Sequence, residues 1–113
     1  MHLGRVEMAR GHFKAAAAIF ADLLAAYPHH ENAFYFLGQS FGEMGQLGNA
    51  HYYLGRYYRS QNDWSNARFH FNRALQHTDS DQQKTRIQKK LDSLKKPQRP
   101  KRGKNPGIAP PGF

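Results

Sequence analysis

Seven histidines are the first residues here with chemistry to offer. His29 and His30 are adjacent, and His70 and His77 stand seven positions apart, roughly two helical turns. Zinc sites need imidazoles or thiolates at short fixed spacings, such as two His on one helix face flanking a Glu. No such spacing occurs and there is no cysteine, so the sequence predicts no metal site and no cofactor. Nucleophilic catalysis lacks a Gly-x-Ser-x-Gly turn. The carboxylates are scattered near predicted helix ends, where charge answers the helix dipole. The stretch GQSFGEMGQLG, residues 38–48, has the glycine content of a phosphate loop. It has no following Lys-Ser/Thr and follows a helical pattern rather than a strand, so it fails that test. No catalytic residue is expected. What remains is non-covalent recognition. Phe34, Tyr35, Phe36, Tyr52, Tyr53, Tyr57 and Tyr58 crowd two short segments. Tyr and Arg are the side chains most enriched where proteins bind proteins.

A chain of 113 residues suggests one domain with a modest core. Without cysteine there is no disulfide framework. The longest apolar run, Ala15 to Tyr27, contains Asp22 and is too short to span a bilayer. The net charge of +9 is unevenly placed. Residues 1–83 hold seven Lys/Arg and seven Asp/Glu, whereas residues 84–104 hold ten Lys/Arg against Asp92 alone. The body is neutral and the excess lies at the C-terminal end.

The elements that position these residues follow a repeat. Leu3-Gly4, Leu37-Gly38 and Leu54-Gly55 each lead to a turn residue: Gly11, Gly45 and Asn62. Five residues after each turn comes Ala16, Ala50 or Ala67, and four further comes Phe20, Leu54 or Phe71. Gly4 to Gly38 is 34 residues and Gly38 to Gly55 is 17, half as many. Small residues at helix crossings let axes approach, and large neighbours fill the space around them. The pattern resembles the tetratricopeptide repeat (TPR). The resemblance implies an all-α, right-handed solenoid of antiparallel helix pairs with a C-terminal capping helix. It also implies a packing set of Gly4, Gly11, Ala16, Phe20, Pro28, Leu37, Gly38, Gly45, Ala50, Leu54, Gly55, Ala67, Phe71 and Ala74. Gly42 and Gly48 are extra to it and are expected to loosen their turn.

Apolar periodicity predicts helices over 1–10, 12–27, 31–44, 47–60, 64–77 and 81–95. Pro28 stops the second. Asp63 is a candidate N-cap, and Ser80 with Gln83 has capping-box spacing. In the last helix only Ile87, Leu91 and Leu94 form an apolar stripe, which suits a terminal cap. The TPR domain is therefore expected over 1–95, its first helix truncated as in a fragment of a longer protein. A basic Pro/Gly-rich tail, disordered, is expected over 96–113.

In a TPR the first helix of each pair lines the concave surface. The resemblance thus implies a peptide-binding groove of Asn32, Tyr35, Gln39 and Glu43 from the third helix, with Arg5 from the first. If the fourth helix also acts as a first helix, Asn49, Tyr52, Arg56 and Arg59 join it. The segments AHYYLGRYY and RIQKKL narrow the likeness further. They resemble the C-terminal TPR region of bacterial envelope zinc metalloproteases of the β-barrel assembly-enhancing type. That resemblance implies a non-catalytic, client- or partner-binding region beside an upstream protease domain, in the periplasm or cell envelope, near outer-membrane assembly proteins. A chaperone-type carboxylate clamp is a second family reading. Tyr35 and Gln39 occupy places where it needs Lys, Asn or Arg, although Arg56 and Arg59 can still meet a carboxylate. The rival function is binding of nucleic acid or an anionic membrane surface through the basic tail. No aromatic is interleaved among its charges, which argues against single-strand binding.

Overall fold

The computed structural model describes residues 2–94, and the expected tail over 96–113 lies outside the described residues. Six helices follow one another: α1 (His2–Ala9), α2 (Phe13–Ala26), α3 (Glu31–Glu43), α4 (Leu47–Ser60), α5 (Trp64–Gln76) and α6 (Asp81–Leu94). Each packs against the next, giving the all-α, TPR-type solenoid that the repeat predicts. Among the described residues no helix is long and apolar enough to cross a membrane.

The three turn residues of the sequence repeat share one conformation. Gly11 and Gly45 have φ of +78° and Asn62 has φ of 61°, the left-handed region that Gly and Asn enter most readily. The hydrogen bonds repeat as well. Gly11, Gly45 and Asn62 donate to Met8, Gly42 and Arg59 carbonyls at 2.9, 3.0 and 3.0 Å. The following His12, Gln46 and Asp63 each donate to the carbonyl five residues back, all at 2.9 Å. This is the Schellman closure, which satisfies carbonyls that a helix end leaves open. The chain therefore ends α1, α3 and α4 identically and reverses after each.

The other ends use side chains. Pro28 follows the α2 C-cap Tyr27, and the His30 ring nitrogen caps α3 by accepting from Ala33 N–H at 3.3 Å. Asp63 caps α5 by accepting from Asn66 N–H at 3.2 Å. Ser80 Oγ accepts from Gln83 N–H at 3.2 Å. The Gln83 side chain does not complete a capping box. It donates to Asn49 at 2.6 Å and accepts from Thr78 Oγ1 at 2.5 Å, tying α6 to α4.

The spacing of glycine and large residues now has a physical meaning. A Cβ built on Gly4 would lie 2.7 Å from the Phe20 ring, one on Gly38 2.9 Å from Leu54, and one on Gly55 2.7 Å from the Phe71 ring. In each case the glycine meets the apolar residue sixteen positions on in the sequence. Ala16, Ala67 and Ala74 are fully buried and Ala50 nearly so. The core falls in two parts, Ala16, Ala17, Phe20 and Leu37 in one, and Tyr52, Ala67, Phe71, Ala74, Ile87, Leu91 and Leu94 in the other. Tyr53 packs against both. Gly48 does not loosen its turn. A Cβ there would lie 2.8 Å from the His77 carbonyl oxygen, so Gly48 is where the start of α4 meets the end of α5.

Candidate protein-binding surfaces

Tyr35 and Gln39 stand one turn apart on α3, and Gln39 Nε2 donates to Tyr35 Oη at 3.0 Å. The Tyr35 ring lies 5.1 Å from Tyr57 and 5.5 Å from Phe36, centre to centre. Arg5 of α1 covers the Phe36 ring at 5.2 Å. Arg5, Tyr35, Phe36, Gln39 and Tyr57 form one ridge across α1, α3 and α4, with Arg5 and Gln39 exposed and Tyr35 half-buried. Arg5, Tyr35 and Gln39 are thus linked through ring and hydrogen-bond contacts, and Asn32 and Glu43 are exposed near the two ends of α3.

The predicted residues from α4 are elsewhere. Tyr52 is 3% exposed and belongs to the core beneath α6, so it offers no face to a partner. Its ring lies between Arg56 and Arg86, each 5.7 Å from the centroid. Asn49 is engaged by Gln46 and Gln83 and links helices rather than lining a groove. Arg56 stacks at 4.6 Å on Phe34, on a side of α3 apart from Tyr35. The reason is geometric. Successive residues of a helix are rotated by about 100°, and α3 and α4 are antiparallel neighbours, so equivalent stripes on the two do not join into one groove. The expected groove divides into the α1–α3 ridge and a second site at the end of α4.

That second site is a cleft of about 400 Å³ lined by His29, Phe34, Arg56, Arg59, Ser60, Asn62, Trp64 and Lys90. The turn after α2, the start of α3, the end of α4, the start of α5 and Lys90 of α6 all contribute. Sequence reasoning reached Arg56 and Arg59 but missed Lys90, His29 and Trp64, because only the return of α6 across α4 brings them together. Burial first, and then the Arg56, Arg59 and Arg86 guanidiniums, push the Lys90 ammonium below its ordinary value.

Three histidines meet between α4 and α5. His51 Nδ1 and His70 Nδ1 are 2.9 Å apart, so one ring donates and the other accepts. His70 stacks on Tyr58 with planes 4° apart and centres at 5.2 Å, and His51 stacks on His77 at 5.8 Å. Burial, followed by the His51 and Arg73 charges, pushes His70 down to about 4. His51 is lowered by burial, then by His77 and Arg73. The rings act as packing aromatics and continue the line of ring contacts from Tyr35 through Tyr57 and Tyr58. Among the described residues no three His, Cys, Asp or Glu side chains are grouped to hold a metal ion.

No curated protein matches the chain. Residues 2–42 and residues 48–81 each match a family described as tetratricopeptide repeat. The first match takes in α1, α2 and α3, and the second takes in α4 and α5. Helices paired through Schellman turns, glycines set against Phe20, Leu54 and Phe71, and these two matches lead to one statement: the chain is built of tetratricopeptide repeats, a scaffold whose partners are proteins.

Proposed function

We propose that this chain is a protein–protein interaction module that holds an extended partner segment along the α1–α3 ridge. In this reading it forms the client- or partner-binding C-terminal region of a larger bacterial zinc metalloprotease of the cell envelope, with outer-membrane assembly proteins among its partners. The observation that carries the binding role is the Tyr35–Gln39 pair on its aromatic base. Tyr gives large contact area with few rotors to freeze. Gln39 Nε2 and Oε1 can pair with the backbone of an extended chain. Residues 1–83 balance Lys/Arg with Asp/Glu, so local contacts rather than long-range attraction must select a partner on this ridge. The metalloprotease context is supported by the AHYYLGRYY and RIQKKL segments.

The test is capture of envelope proteins by the parent chain and by Tyr35→Ala/Gln39→Ala. The double variant should keep its helical circular dichroism and lose the captured bands. Truncating a hot-spot Tyr costs at least ~1–2 kcal/mol of binding, about tenfold in Kd. Undiminished capture would remove the ridge from the binding site. Reading the gene upstream for His-Glu-x-x-His tests the protease context separately.

A second reading, electrostatic binding of residues 84–104 to nucleic acid or anionic lipid, is favoured by one observation: Lys84, Arg86 and Lys89 are all exposed on α6. Such binding must weaken steeply with salt. Binding that persists at high salt would exclude it.

A further inference from the structure

The seam between α4 and α5 is closed by imidazoles and not by hydrocarbon alone. His51 Nδ1 and His70 Nδ1 are 2.9 Å apart, so the pair holds only while one ring offers the other an unprotonated nitrogen. The stack continues at both ends, His70 lying parallel to Tyr58 and His51 to His77. No anion answers a charge on the pair. Burial first, then His77 and Arg73, resist a proton on His51. Burial first, then His51 and Arg73, resist one on His70. From α3, Glu43 lines the same cavity as His51, but it is exposed and pairs with neither ring among the described residues. The α1–α2 turn brings only Met8 and Phe13 to that cavity, and α6 brings the uncharged Gln83 to the His77 end.

The seam also divides the molecule. One core is built from α2 and α3, the other from α4, α5 and α6. α6 packs against α5, so α5 carries it. In a solenoid each element leans mainly on its neighbours, and a terminal unit can open while the rest stays folded. We propose that the His51–His70 pair is an acid-sensitive latch: protons on both rings drive α5, with α6, off α4, while α1 to α4 stay folded. A proton on each ring removes the hydrogen bond and sets two like charges in its place beside Arg73. In the open form each imidazole takes up a proton near its ordinary value of ~6.5. In the closed form burial holds His70 unprotonated down to about 4. Acid between these values therefore favours the open form. Opening parts the Tyr52 and Phe71 rings, which meet across the seam at 6.1 Å and are buried in the closed form. An apolar face hidden at neutral pH is then presented in mild acid. The latch holds whether or not a partner lies on the α1–α3 ridge.

The test is hydrogen exchange of the full chain at pH 7.5 and pH 5, expressed as protection factors so that the intrinsic pH dependence of exchange is removed. Most Asp and Glu side chains are still ionised at pH 5. A histidine moved from ~6.5 to about 4 makes opening up to ~30-fold easier at the lower pH. Solvent screening of a half-buried ring brings the expected fall in α5 and α6 protection to about tenfold. Protection in α1, α2 and α3 should hold. Trp64 is the single tryptophan and packs against the C-terminal core, so its emission should move to the red over the same range. His70→Phe keeps a ring on Tyr58, and His70→Gln keeps a hydrogen-bond partner for His51. Neither takes a proton at that position, and both should lose most of the acid dependence while matching the parent's helical circular dichroism at pH 7.5. Unchanged protection of α5 in the parent overturns the latch. An equal fall in α1 to α3 also overturns it, because the chain then unfolds as a whole. Full acid dependence in either folded variant places the titrating group elsewhere and overturns it too.

Discussion

Gly42 and Gly48 lie on either side of the same turn, and alanine at each should act in opposite directions. Gly42 is in the last turn of α3. A Cβ there would sit 3.7 Å from Ala50 Cβ, an ordinary contact that displaces nothing. Alanine in place of glycine in a helix gains up to ~1 kcal/mol, and less near an end, so Gly42→Ala should stabilise by about 0.5–1 kcal/mol. Gly48 is in the first turn of α4. Its Cβ would lie 2.8 Å from the His77 carbonyl oxygen and 3.3 Å from the carbonyl carbon. Backbone cannot rotate away as a side chain can. Moving His77 would drag Thr78, which bonds Gln83, which bonds Asn49. Overpacking of this kind costs about 1–3 kcal/mol. With ~4–8 °C of Tm per kcal/mol in a domain of this size, Gly42→Ala should melt a few degrees above the parent. Gly48→Ala should melt at least ~4 °C below it. Thermal unfolding followed by far-UV circular dichroism reads both. A rise in Tm for Gly48→Ala would refute the close approach of α4 to the α5 C-terminus, and a fall for Gly42→Ala would refute the open space beside Gly42.

Two further outcomes test the core. Ala67 is fully buried, so Ala67→Leu should destabilise by about 1–3 kcal/mol in urea unfolding, and an unchanged midpoint would reject the helix crossing. The folded-state pKa of His70 is depressed to about 4 and that of His51 is lowered, so the unfolded chain takes up protons first as pH falls. Stability should be whole above the ordinary histidine value of ~6.5, decline below it, and cease declining from this source near 4. Urea midpoints measured across that window for the parent and for His70→Phe should diverge with acid, the parent falling faster; parallel curves would reject the neutral His51–His70 pair.

The fold was legible because each repeat element is fixed by local physics that leaves a trace in residue type. A left-handed turn residue selects Gly or Asn, and Gly11, Gly45 and Asn62 say so at the right interval. A close crossing selects Gly or Ala with a large neighbour, and Gly4 with Phe20 or Gly55 with Phe71 say so too. Helix ends were legible to within about two residues for the same reason. The role of Gly48 was not, since nothing in the sequence marks the carbonyl of a residue 29 positions away. Tyr52 and Tyr53 are adjacent and of one type, yet Tyr52 is buried under α6 while Tyr53 joins the two cores. Only the position of α6 separates them.

The burial of Tyr52 has the same origin, and it points to how the molecule works. The sequence offered α4 two roles, second helix of one pair and first helix of the next, and the structure gives it both through different faces. One face carries Ala50 and Leu54 to Gly38 of α3, while Gly55 receives Phe71 of α5. Tyr52, Asn49 and Arg56 then face the direction in which a further repeat would stack, and α6 occupies it with Ile87, Leu91 and Leu94. Closing the stack this way converts a would-be groove into core over most of α4. It leaves open the end beyond Arg56, where α6 adds Lys90 rather than an apolar residue. A capping helix needs a polar outer face to end a solenoid, but a cation turned toward two arginines adds nothing to that purpose. Lys90→Leu would improve the apolar stripe and relieve the repulsion, and should raise stability by up to ~1 kcal/mol on relief of packing and charge together. A gain in urea midpoint would show that the fold does not need the Lys90 ammonium. A loss of stability would show instead that the ammonium holds α6 in place, and the cleft would then be a structural joint.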